Sequence, residues 1–88
     1  MNVDFTKAFD KQFEKLPKKR QERAKAALAL FLEDNTSPEI RNHALKGEWL
    51  GHRSISAGGD LRLHFKIIDD TKVLFVAVGT HSQLYRSQ

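Results

Sequence analysis

The sequence predicts an α+β fold: a single, mainly antiparallel four-stranded sheet with an N-terminal helix hairpin on one face, in the order β-α-α-β-β-β. Three observations carry this prediction. Apolar residues recur at helical spacing between Phe9 and Leu32, polar and apolar side chains alternate from Asp60 to Ile67, and Val73 to Val78 is a nearly continuous apolar run. A helix pair laid on one side of a curved sheet buries all of these stripes together. The 88 residues suit one domain, 1–88, with a single modest core.

Val3 and Phe5 flank Asp4 in a short alternating segment that suits a first strand, and Thr6 is placed to cap the helix after it. Phe9, Phe13 and Leu16 make the buried stripe of that helix, while Lys7, Asp10, Lys11, Gln12, Glu14 and Lys15 occupy its wetter sides. Pro17 suits the opening of a second helix, where its missing N–H is not needed. Ala24, Ala27, Leu28, Phe31 and Leu32 extend this helix to a stop near Asp34-Asn35-Thr36-Ser37-Pro38. Ser37 to Glu48 reads as a polar connector wrapped over the body. A strand follows at about His52 to Ala57, with Arg53 and Ile55 on one face and His52, Ser54 and Ser56 on the other. Ala57-Gly58-Gly59 returns the chain tightly into the central strand. There Leu61, Leu63, Phe65 and Ile67 are expected to face the core, leaving Asp60, Arg62, His64 and Lys66 on an open face. Asp69-Asp70-Thr71-Lys72 turns into the last strand, and Ser82 to Gln88 is expected to be a tail anchored by Leu84 and Tyr85.

Bulk composition narrows the function. No apolar run approaches the roughly 20 residues of a membrane span, and the opening residues lack the basic start and apolar centre of a secretory signal. The absence of cysteine removes disulfide and thiolate chemistry, and a cytoplasmic location is the default expectation. A net charge of +4 and a pI near 9.6 make a polyanion or an acidic protein the natural partner. Lys15, Lys18, Lys19, Arg20, Arg23 and Lys25 crowd around the start of the second helix. Cations there oppose the helix dipole, so helix stability does not account for them; they form either a solvated face or an anion-binding one.

The four histidines lie in separate segments without close ligand spacing, so no metal site and no cofactor are expected. Ser54, Ser56 and Ser82 lack a nucleophile elbow, and Ala57-Gly58-Gly59-Asp60 joins two strands rather than opening a helix onto a phosphate. What remains is a set of imidazole, carboxylate and guanidinium groups. Attack of an RNA 2′-hydroxyl on its neighbouring phosphate needs such groups to move protons and hold developing charge. The same residues also suit an ordinary Asp60–Arg62 surface pair flanked by loop histidines.

Three signatures, Asn42-His43-Ala44-Leu45-Lys46-Gly47-Glu48-Trp49 with Gly51-His52-Arg53, then Gly59-Asp60-Leu61-Arg62-Leu63-His64-Phe65-Lys66, then Val78-Gly79-Thr80-His81-Ser82-Gln83-Leu84-Tyr85, span much of the chain. Together with the order of elements they resemble the RelE/ParE toxin superfamily of bacterial toxin-antitoxin pairs, and within it the YafQ-like branch. The resemblance implies a ribosome-dependent endoribonuclease that cuts messenger RNA and is neutralised by a cognate antitoxin. It also implies active-site roles for His43, Asp60, His81 and Tyr85, and, from RelE-like relatives, for Arg62. His64 is kept as an auxiliary group, because Ser56 and Leu61 stand where YafQ-like enzymes carry a histidine and an aromatic residue. Lys18, Lys19, Arg20, Arg23, Lys46, Arg53 and Lys66 are the residues expected to meet ribosome and RNA phosphates. Two other readings remain: a ParE-like inhibitor of DNA gyrase, and a degenerate toxin that only binds its antitoxin.

Overall fold

The computed structural model describes residues 1–85. Strand β1 (Asn2–Phe5) leads into helices α1 (Lys7–Glu14) and α2 (Lys18–Glu33), followed by strands β2 (His43–Ala44), β3 (Arg53–Ser56), β4 (Leu61–Asp69) and β5 (Lys72–Thr80), and a last helix α3 (His81–Tyr85). The sheet has five strands in the order β1-β5-β4-β3-β2. Three neighbouring pairs are antiparallel, whereas β1 runs parallel to β5, so the sheet is mixed. Two elements correct the expected fold. His43–Ala44 adds a fifth strand too short to carry any periodicity of its own, and Ser82 to Tyr85 of the expected tail belong to α3, the rest of that tail lying outside the described residues.

Local chemistry explains the helix boundaries. The Thr6 hydroxyl accepts the Phe9 N–H at 3.0 Å and caps α1. Pro17 precedes α2 with extended backbone and no side-chain cap, and the Gln21 side chain ties the two helices by donating to the Phe13 carbonyl at 3.0 Å. The core forms where Phe9, Ala24, Ala27 and Phe31 of the helices meet Ile55, Leu61, Leu63, Phe65, Val73, Phe75 and Val78 of the sheet. Phe31 stands edge-on to both Phe65 and Phe75, with centroids 5.0 and 5.4 Å away. The connector between α2 and β2 is pinned rather than loose: Ile40 is buried, and its carbonyl accepts the Ser56 N–H at 2.6 Å.

Alternation along the two long strands is interrupted twice. His64 pairs with Ala77 but Phe65 with Phe75, so Val76 is an extra residue in β5; Ile67 pairs with Val73 but Asp69 with Lys72, so Ile68 is extra in β4. The first bulge lets Val73 and Phe75 share the core face with Val78, which a uniform two-residue period forbids. Beyond the end of β1, Thr6 and Gln12 cover the edge of β5: the Thr6 N–H donates to the Phe75 carbonyl at 3.0 Å, and the Gln12 side-chain oxygen accepts the Val78 N–H at 2.9 Å. Ile67, expected in the core, is 57% exposed, because it lies at the irregular end of β4.

Candidate active site

On the sheet face turned away from the core cluster, cross-strand register sets up two adjacent rows. One runs His43, Ser54, His64, Ala77 from β2 to β5, and the other runs Ser56, Arg62, Gly79. Helix α3 closes over the second row. Its first residue is held by the His81 N–H, which donates to the Asp60 carbonyl at 2.8 Å, bringing the start of α3 against the turn that opens β4. Thr80 and Gln83 cap α3 reciprocally: the Thr80 hydroxyl accepts the Gln83 N–H at 3.2 Å and the Gln83 side-chain oxygen accepts the Thr80 N–H at 2.9 Å. A Cβ on Gly79 would stand only 2.9 Å from that Gln83 oxygen, so glycine is what lets the helix approach the strand this closely.

The expected site residues divide by position. Asp60, Arg62, His81 and Tyr85 gather at one end of this face. The Tyr85 and His81 rings are 4.5 Å apart and tilted by 33°. Burial pushes the Tyr85 phenol up, while the Arg62 guanidinium pulls it down and Glu48 adds to the rise. Arg62 is half-buried and spends one nitrogen, Nη1, on the Gly59 carbonyl at 2.9 Å, the Leu61 carbonyl at 3.0 Å and the Ser56 hydroxyl at 3.3 Å. Ser56 therefore steadies the guanidinium from the neighbouring strand. His43 is exposed on β2, one row away. Its Nδ1 lies 2.8 Å from the Arg41 carbonyl, and since a carbonyl only accepts, Nδ1 is the donor of that bond and Nε2 is the ring nitrogen left for another partner. Arg41 reaches this position with a left-handed φ of 49°, a conformation costing about 1–2 kcal/mol in a non-glycine residue.

His64 does not face solvent as its alternation suggests. It is fully buried, with Trp49 edge-on at 4.3 Å, Tyr85 at 5.5 Å, and no hydrogen-bond partner for either ring nitrogen. Burial, with the charges of His52, His43, His81 and Arg62 behind it, pushes its pKa down to about 4. The reason for the correction is tertiary: α3 and the turn Gly47–Trp49 cover this part of the face. Trp49, His52 and Ser54 are the neighbours that no sequence argument singled out. Trp49 is the chain's one tryptophan and the natural signal for them.

The cations are dispersed. Lys18, Lys19 and Arg23 are exposed on α2 and Arg20 is half-buried there, with the Arg23 Cδ lying 3.8 Å from where a Gly58 Cβ would stand, beside the turn that carries Asp60. Lys46 and Lys66 are exposed outside that helix. Arg53 is engaged internally, its Nε donating to the Asn42 side-chain oxygen at 2.8 Å. Among the described residues, no group of three or more His, Cys, Asp or Glu is arranged to hold a metal ion. No described helix is long and apolar enough to cross a membrane.

A five-stranded sheet of this order under two N-terminal helices is the fold of RelE/ParE-type toxins. The RelB–RelE antitoxin-toxin complex from Methanococcus jannaschii matches 94% of this chain and 95% of that chain with a TM-score of 0.73 at 19% identity. More specifically, the family model for the bacterial toxin of type II toxin-antitoxin systems, YafQ, matches residues 1–86, and the chain belongs to that family. The crystal structure of YafQ from E. coli strain BL21(DE3) covers 97% of this chain and 98% of that one, with 27% identity and a TM-score of 0.74. The E. coli DinJ–YafQ complex matches at 28% identity, 97% and 98% coverage and a TM-score of 0.72. Comparison with curated protein sequences returns no match.

Proposed function

We propose that this toxin is a ribosome-dependent endoribonuclease that cuts messenger RNA by acid-base catalysis in the cytoplasm, and that a cognate antitoxin neutralises it. The reading is supported above all by the junction at Asp60. There, the bond between the His81 N–H and the Asp60 carbonyl, the two ring positions of α3 and the anchored Arg62 converge at one end of the sheet. In the reaction, a base takes the proton of the ribose 2′-hydroxyl as its oxygen bonds to phosphorus. The bond from phosphorus to the 5′ oxygen breaks, and that oxygen receives a proton. His43, through the Nε2 left over from the Nδ1 contact with the Arg41 carbonyl, takes the first proton; His81 supplies the second; Asp60 supports the charged imidazole. Arg62 holds the developing negative charge on phosphate with the nitrogens not spent on Ser56, Gly59 and Leu61. Tyr85 stacks on or orients a base. Lys18, Lys19, Arg20 and Arg23 grip ribosomal RNA phosphates. Neutralisation by an antitoxin is supported by the toxin-antitoxin complex that the E. coli relative YafQ forms with DinJ.

The test adds purified protein to a defined translation reaction and maps new RNA ends, with a gyrase supercoiling assay beside it. Cleavage that falls about a hundredfold or more in His81→Ala, with the fold unchanged, is the expected result. Full cleavage by His81→Ala, or gyrase inhibition without new RNA ends, refutes the assignment.

A further inference from the structure

Helix α3 has only five residues, far too few to persist on its own, yet it carries both His81 and Tyr85. Its N-terminal end is held by the Thr80–Gln83 cap and the Asp60 carbonyl. At its other end the last carbonyls of a helix have no partner within the helix. One of them, that of Leu84, accepts the Trp49 indole N–H at 3.1 Å from a segment distant in sequence. The segment offering the indole is itself closed by backbone bonds. The Trp49 N–H donates to the Lys46 carbonyl at 3.2 Å, the His52 N–H donates to the Trp49 carbonyl at 3.0 Å, and the Leu45 N–H donates to the His52 carbonyl at 2.9 Å. Gly47 and Gly51 supply the left-handed bends at φ 63° and 91°. The indole also stands edge-on to His52 and His64, with centroids at 5.3 and 4.3 Å, and His64 in turn meets Tyr85.

We propose that Trp49 is a positioning residue: its indole N–H clamps the C-terminal end of α3 through the Leu84 carbonyl and so sets where His81 and Tyr85 stand over the site. The functional half of this inference rests on the nuclease reading. Trp49→Phe keeps an aromatic ring against His52 and His64 but deletes the donor. It should lower protection of the α3 amides from hydrogen exchange about tenfold. In the translation-coupled cleavage assay kcat should fall about tenfold with KM within about twofold, because the catalytic groups wander while the RNA-gripping cations on α2 are untouched.

As the chain has one tryptophan, the parent protein shows a single indole N–H resonance, which should be shifted downfield and exchange slowly. A free-indole shift with fast exchange overturns the clamp even if the variant does not fold. Unchanged α3 protection in Trp49→Phe overturns it as well, and loosened α3 with parental kcat overturns the positioning role. A parent protein that cuts no RNA refutes the nuclease reading instead, and the indole and exchange measurements then still decide whether the clamp exists.

Discussion

Acid should destabilise this fold through His64, and the size of the effect follows from where the ring sits. An unfolded chain protonates this histidine near pH 6.5, whereas the folded protein holds it neutral down to about 4, because burial and the nearby His52, His43, His81 and Arg62 disfavour a second proton. Between those values the unfolded state binds more protons than the folded one, so stability falls as pH drops through this window and levels off outside it. At 1.36 kcal/mol per pH unit the loss reaches about 3 kcal/mol, a large share of the roughly 5–15 kcal/mol typical of a domain. His64→Leu removes the titration. At neutral pH it also removes two unpartnered ring nitrogens and the edge-on contacts with Trp49 and Tyr85, effects of opposite sign and similar size, so the pH slope is diagnostic. Urea unfolding followed by Trp49 fluorescence, from about pH 7.5 to about pH 4, measures it for both proteins. Asp34 and Asp69 are held below the usual carboxylate range by hydrogen bonds from Thr36 and Thr71, so they matter at still lower pH and equally in both. Parallel stability curves for parent and His64→Leu would refute the reasoning.

Two further outcomes follow from the geometry. Gly79→Ala drives a methyl group to 2.9 Å from the Gln83 side-chain oxygen and 3.4 Å from a Leu84 methyl. As that oxygen is tied to the Thr80 N–H, α3 must shift; the expected loss of about 1–3 kcal/mol is read from the urea midpoint, and RNA cleavage should fall with it. A variant with parental midpoint and activity would show that the close packing is dispensable. Lys18→Glu with Lys19→Glu should weaken ribosome binding and flatten its dependence on salt, leaving the fold intact because both side chains are exposed. An unchanged salt slope counts against a phosphate-gripping role for the start of α2.

Much of the architecture was legible because it rests on local periodicity. The stripes of Phe9 and Phe13 and of Ala24, Ala27 and Phe31 announced two helices, and the Gly58-Gly59 turn and the alternation after it announced the β3–β4 hairpin. Helix α3 was legible in principle, since Thr80-His81-Ser82-Gln83 has the spacing of a reciprocal cap, but the flanking residues offered no apolar stripe to support it. Arg53 was expected among the residues that meet RNA phosphates, and nothing in the sequence says that Asn42 would meet its Nε.

The order of amino acids by itself determined which residues alternate, which stripes need burial and which chemical groups are present, for these depend on neighbours along the chain. Only the tertiary structure decided that β1 runs beside β5, that Val76 and Ile68 break the alternation, and that His64 lies sealed beneath Trp49 and Tyr85 while His43, Asp60 and His81 stay exposed. The reason is that a strand's period specifies two faces but not what covers either one. Here the cover comes from segments distant in sequence, joined by the bond from the Trp49 indole to the Leu84 carbonyl.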